Sequence, residues 1–278
     1  MKKLFLFTLT LTTILGLFFS VSHLAFAQGK VNQDGGPLKD NELLLTRPDA
    51  DHLNEDHGAD APWITKWYGP DGNYTNNGGF NTSGPKDLMS EGTNGEITDV
   101  SLSTMVGLNR TKRFDVEWEA GNGGTRGWTV FQIDPGDGNN MNRGGPADNT
   151  DIYAVLVIDA PKAMTSVMSP THDDYAQIWI NGEKWYNNSR WTGAVYNVDY
   201  NIEVKFRKGT NVLLYRCGEG GGSAYFNLHF DDETHNAVKI YPDKATNQDT
   251  FFAEIDGILP VEPVEKITTT WADIKRNR

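Results

Sequence analysis

Apolar and polar residues alternate most regularly in the second half of this chain. Ala176, Ile178 and Ile180 fall on one side of a strand, with Gln177 and Trp179 on the other. Ile202, Val204 and Phe206 alternate with Glu203, Lys205 and Arg207. Ala224, Phe226, Leu228 and Phe230 alternate with Tyr225, Asn227 and His229. A period of two is that of a β-strand with one packed face and one wet face. Asn181 and Gly182 form the dipeptide preferred in a type I′ hairpin turn, where both positions need positive φ. Lys208 and Gly209 turn the chain into the apolar run Val212 to Cys217.

The first half is less regular. Phe114 to Ala120 and Gly127 to Ile133 each alternate, and Tyr153 to Ile158 is nearly all apolar. A continuous apolar run predicts a central strand covered on both sides. Trp63, Ile64, Trp67 and Tyr68 open the folded region, followed by turn signals at 71–73 and 76–79. Leu43 to Leu45 predict a short strand in an otherwise polar stretch. Sustained helical periodicity is absent, and no internal repeat stands out. The pattern predicts an all-β fold of two antiparallel sheets, with one domain over 61–245. An irregular polar lead-in over 28–60 precedes it, and a C-terminal tail over 246–278 follows. Thr270 to Asp273 reads as a capping box opening a short helix in that tail.

The N-terminus changes where the protein is expected to act. Lys2 and Lys3 precede an apolar stretch from Leu4 to Leu24, which closes on Ala25, Phe26 and Ala27. These are the three parts of a secretory signal peptide over 1–27. The stretch also approaches spanning length, so a membrane anchor is the alternative, but the A-x-A end favours cleavage and export to a periplasmic or extracellular space, with no membrane-spanning segment after cleavage. Loss of Lys2 and Lys3 takes the formal charge from −12 to −14. So acidic a chain is not expected to bind nucleic acid, which needs a basic surface. Cys217 is the single cysteine, so no intrachain disulfide forms, and its place in a strand predicts a buried structural thiol.

Asp173, Asp174, Ile178, Trp179, Ile180, Asn181 and Gly182 precede the hairpin turn. Lys208, Gly209, Asn211, Leu213 and Leu214 enter the late apolar strand. Together they resemble the D-D-x-x-x-I-W-I-N-G and K-G-x-N-x-L-L stretches of jelly-roll accessory domains. Those domains are of the galactose-binding-like and protective-antigen-like types. The resemblance implies a two-sheet antiparallel jelly-roll sandwich, in a family often attached to secreted glycoside hydrolases. The chain is also similar to uncharacterised secreted bacterial proteins that end in a segment like Thr269, Thr270 and Trp271.

Candidate chemistry is sparse. Trp185, Tyr186, Trp191 and Tyr196 lie in or beside the hairpin and its following loop. Aromatic rings stack on the C–H faces of sugars, and Arg190, Asn187 and Asn188 are placed to bond the hydroxyls. Asp173 and Asp174 are the expected polar partners. A ligand site of Trp185, Arg190, Trp191, Asp173 and Asp174 is therefore expected, for an extracellular carbohydrate or other polymer. Asp134, Asp137 and Asn139 crowd oxygen ligands into a tight turn, and Asp151, with Asp148, lies at the far end of the same loop. Such a set suits calcium. Among 37 acidic residues no single catalytic pair stands out. No zinc spacing, G-x-S-x-G or phosphate-cradling loop is present. His229, on the polar face of its strand, is expected to be a surface residue. The expected function is non-catalytic binding. A polysaccharide-cleaving hydrolase or lyase and a structural surface or matrix protein are the alternatives.

Overall fold

One strand, Thr150–Ala160, organises the molecule by dividing its side chains between two cores. A computed structural model describes residues 31–32, 37–39, 42–43, 56–58, 61–75, 79–117, 124–144 and 148–258. In chain order the elements are β1 (Val31–Asn32), β2 (Lys66–Pro70), β3 (Tyr74–Thr75), α1 (Phe80–Ser83) and α2 (Leu88–Gly92). Then come α3 (Asp99–Leu102), α4 (Met105–Arg110), β4 (Val116–Glu117), β5 (Thr125–Arg126) and β6 (Trp128–Gln132). The long strands follow: β7 (Thr150–Ala160), β8 (Met164–His172), β9 (Tyr175–Ile180), β10 (Glu183–Asn188), β11 (Asn201–Phe206), β12 (Gly209–Glu219) and β13 (Phe226–Phe230). The chain closes with α5 (Asp232–Ala237), β14 (Lys239–Tyr241) and α6 (Gln248–Asp256).

The larger sheet runs in the order β10-β9-β12-β7-β2-β6, and the smaller one β1-β11-β8-β13. Neighbours are antiparallel except β1, which joins β11 in parallel. β12 pairs with β7 along its whole length, while β3, β2 and β14 share the opposite edge of β7 in succession. The fold is thus an all-β antiparallel sandwich with a few short helices.

Between the sheets, Ile152, Ala154, Leu156 and Ile158 of β7 meet Ile178, Leu213 and Tyr215 on their own sheet and Met168, Val204, Phe226 and Leu228 on the other. The alternating positions of the sequence form this core. Asn181 and Gly182 take φ of 55° and 89°, as the hairpin turn demands. Cys217 is fully buried here, and burial raises its thiol well above the ordinary range, which leaves it unreactive.

The opposite face of the larger sheet is not wet. Tyr153, Val155, Val157, Val212 and Leu214 pack there against Leu88, Met89, Leu102 and Leu108 of the short helices. Helix α6 adds Phe251, Phe252 and Ile255, so residues 248–256 of the expected tail belong to the packed body. Tyr68 stacks on Phe251 with ring centroids 4.4 Å apart. Alternation of a wet and a dry face therefore fails for this sheet, because the helices cover its outer side.

It fails again along β13 and the residue before it, where Tyr225, Asn227 and His229 are all buried, whereas β11 keeps it, with Glu203 half-buried and Lys205 exposed. Asn227 donates to the carbonyls of Pro135 and Val195. His229 lies against the Trp63 ring at 4.2 Å and bonds Asp56 through Nε2, so it is not a surface residue. Polar loops, rather than water, satisfy this face. The 1–27 leader, Leu44–Leu45, Trp118 to Ala120, and the capping box at Thr270 lie outside the described residues. Leu43 is described and is not in a strand. Among the described residues no helix is long and apolar enough to cross a membrane.

Candidate functional site

Strand β12 ends, and β7 and β9 begin, at one end of the sandwich, and their character changes there. On the helix-covered face the row Val155, Leu214 and Trp179 is apolar. Two residues further along each strand, the row is Tyr153, Arg216 and Gln177. The last row is Asp151, Gly218 and Tyr175. Gly218 is required by its neighbours. The Tyr175 hydroxyl passes over it to bond Asp151, and a β-carbon at Gly218 would overlap the Tyr175 ring and lie 2.6 Å from Asp151 Oδ1.

Arg216 is fully buried and holds this end together. Its Nε donates to Asp151 at 2.7 Å, and its Nη1 to Asp99 at 3.0 Å. The remaining donors reach the carbonyls of Ser83 and Lys86, which tie down the segment joining α1 to α2. The guanidinium is matched on several sides, as a buried cation must be. Asp99 is nevertheless raised to about 7, chiefly by burial, against the pull of Arg216.

Around the edge of this end lie the loops. Asp173 and Asp174 form the turn between β8 and β9, and Gly220 donates its N–H to Asp174 Oδ2 at 2.8 Å. Glu219, the last residue of β12, faces the same carboxylates. Burial, then the neighbouring Asp174, raises Asp173 to about 7. Burial, then Asp148, Asp174 and Asp173, raises Glu219 to about 7. Both groups therefore favour the protonated form in the folded state, and Asp173 shares a hydrogen bond with Asp174. A carboxyl raised on folding adds stability below its unfolded pKa, and that stability is lost as pH rises through the folded value. The window runs from about 4 to about 7. Asp173→Asn is expected to raise the urea midpoint relative to the natural protein at pH 8, with the gain vanishing towards pH 4. A gain independent of pH would contradict this assignment.

The expected site residues divide. Trp191 is 56% exposed, and its indole N–H donates to the Tyr225 hydroxyl at 2.9 Å. Tyr225 also lies within reach of Thr192, and its carbonyl accepts from the N–H of Asp173. Trp191, Asp173 and Asp174 are thus brought to the same end of the sandwich through Tyr225. Arg190 is exposed beside Trp191, and Tyr196 is 50% exposed in the same loop with its ring 5.6 Å from Trp63.

Trp185 does not join them. A β-bulge between Lys184 and Tyr186 turns both Trp185 and Tyr186 into the core between the sheets. The extra residue breaks the alternation that would have aimed one of them outwards. Asn188 is likewise buried, bonded to Tyr186 and Asp199.

The expected calcium ligands do not converge as a set. Asp134 and Asp137 each accept a backbone N–H two residues on, closing tight turns at Gly136 and Asn139. Asp151 instead belongs to Arg216 and Tyr175, because its position in β7 points it under the helices. Among the described residues no group of three or more His, Cys, Asp or Glu side chains is arranged to hold a metal ion.

No protein-family description and no curated protein matches the chain. Solved structures that show similarity include the following two. A family 35 carbohydrate-binding module from Clostridium thermocellum matches over 41% of this chain and 78% of its own, at 19% identity and a TM-score of 0.22. The GH31 alpha-xylosidase from Xanthomonas citri matches over 64% of this chain and 15% of its own, at 9% identity and a TM-score of 0.23. Similarity at this level carries no inference about ligand or activity.

Sequence reasoning missed Tyr225, Glu219 and Gln177. Tyr225 and Gln177 sit on strand faces read as solvated, and Glu219 lies in a glycine-rich stretch that reads as a loop. The one available signal was Arg216 within an apolar strand, since a buried guanidinium requires carboxylates and carbonyls around it.

Proposed function

We propose that this chain is an exported, non-catalytic protein that binds a carbohydrate polymer at the loop end of its sandwich. The observation that carries this reading is the Trp191 ring, open to solvent while its N–H is pinned to Tyr225. A ring held in place from beneath loses little freedom on binding, and its open face suits the C–H surface of a sugar. Asp174, half-buried, offers oxygens to hydroxyl groups with Asp173 buried behind it, Arg190 offers donors, and Tyr196 extends the aromatic surface.

A second reading is favoured by one observation. Asp173 and Glu219 are raised to about 7, so each keeps its proton to higher pH than an ordinary carboxyl, as a general acid for glycoside cleavage must. One experiment separates the two. The purified protein is run through native gels containing single polysaccharides, and the same polymers are assayed for new reducing ends. Retardation without cleavage is expected. Release of reducing ends, abolished by Glu219→Gln, would replace the binding reading with the enzymatic one. Absence of both retardation and cleavage across a broad panel would end both.

A further inference from the structure

Beneath the β9–β10 edge, on the helix-covered face, lies a cavity of about 370 Å³. Tyr175 and Gln177 of β9 form one wall, and Asn187 and Ser189 at the end of β10 form the next. Asn81, Gly84 and Pro85 close it from the α1–α2 segment, with Leu43 at its side. The volume falls within the range of small-ligand pockets. Its lining does not include Trp191, which rests on Tyr225 just before β13.

Its chemistry is specific. Among the described residues every side chain that lines it is uncharged. Gln177 and Asn187 are each more than nine-tenths buried, and each amide carries both a donor and an acceptor. Their mutual contact is long, Gln177 Nε2 to Asn187 Oδ1 at 3.4 Å. The other bond from Gln177 Nε2, to the Gly84 carbonyl, is 3.2 Å, and its Oε1 accepts from Arg216 at 3.4 Å. Bonds at the long end of the range are weak, so hydroxyls placed between these amides would improve on them. Asn187 is fixed more tightly, donating to the Glu42 carbonyl at 2.9 Å. Arg216 stands behind this wall with its charge met by Asp151 and Asp99, and none of the described residues lining the cavity is a cation that would attract an anion. The Tyr175 hydroxyl is engaged by Asp151 and Ser83, so this residue offers the cavity its ring. Leu43 and Pro85 add further apolar surface.

We propose that this cavity is a second binding site that takes one uncharged sugar ring, free or at a chain end, through the Gln177 and Asn187 amides. The ligand class is read from the cavity lining and does not depend on Trp191. Charged sugars such as uronic acids are disfavoured, because a carboxylate would be buried there without a cation.

The test is saturation-transfer NMR with the full protein. The probes are neutral hexoses, pentoses and their methyl glycosides, beside glucuronate and galacturonate, each at about 10 mM, above the millimolar Kd of a weak site. Transfer to at least one neutral sugar and to neither uronate is expected. Placed in the Trp191→Ala background, which removes the other proposed sugar contact, Asn81→Trp and Ser189→Trp fill the cavity from its rim, and each folded variant should lose the transfer. Trp191→Ala should keep it. No transfer to any neutral sugar, equal transfer to the uronates, or transfer that survives both filling variants would overturn the proposal. Transfer present in a protein that no polysaccharide retards would defeat the polymer-binding reading alone.

Discussion

Arg216→Ala is expected to destabilise the protein by about 3–5 kcal/mol, the usual cost of removing one partner from a buried ion pair. The substitution leaves the Asp151 and Asp99 carboxyls in the interior without their cation. It also frees the Ser83 and Lys86 carbonyls, which anchor the α1–α2 segment. Folded domains are stable by about 5–15 kcal/mol, so this single loss removes a large share. Most of the loss comes from the stranded charge rather than from the pair's own attraction. Arg216→Met combined with Asp151→Asn should therefore be less destabilised than Arg216→Ala alone, although it changes two buried residues. Urea unfolding of both variants checks this. A loss below about 1 kcal/mol for Arg216→Ala would mean that Arg216 does not hold this end together.

The second large effect sets two tryptophans of one hairpin region against each other. Trp185→Ala is expected to cost about 3–5 kcal/mol, because the ring fills the core between the sheets. Trp191→Ala is expected to change stability by less than about 0.5 kcal/mol, as for most surface substitutions. Polymer retention should show the reverse order, lost in Trp191→Ala and kept in whatever fraction of Trp185→Ala remains folded. Urea midpoints read the first comparison, and native affinity gels the second.

The two tryptophans also show where the sequence stops being readable. Periodicity places Ile178, Val204 and Phe226 in the core because a strict period of two admits one arrangement. It misplaces Trp185 because a bulge adds one residue to β10 and leaves no mark in the pattern. The helical layer is invisible for another reason. Helices α1 to α4 span four to six residues each, too short to develop a helical period. Their start signals were present: Asp87, Thr98 and Thr104 each cap a helix by accepting a backbone N–H. With that layer unseen, the outer face of the larger sheet reads as solvent.

The site was legible in part for the same reason. Trp191, Asp173 and Asp174 lie in turns, where local signals survive, and the fold brings them to one end. Asp151 was misread because it adjoins an Asp- and Asn-rich loop in sequence. Only the fold delivers Arg216 to it from a strand 65 residues away. The cavity amides were hidden by the same long-range assembly, since Gln177 and Gly84 meet across 93 residues of chain.

Calorimetric titration of a retained neutral polysaccharide into the natural protein and into Trp191→Ala tests the central claim most directly. Saturable heat with the natural protein and none with a fully folded Trp191→Ala is the predicted result. Equal affinity in both proteins, at unchanged stability, would contradict the placement of a carbohydrate site at this end of the sandwich.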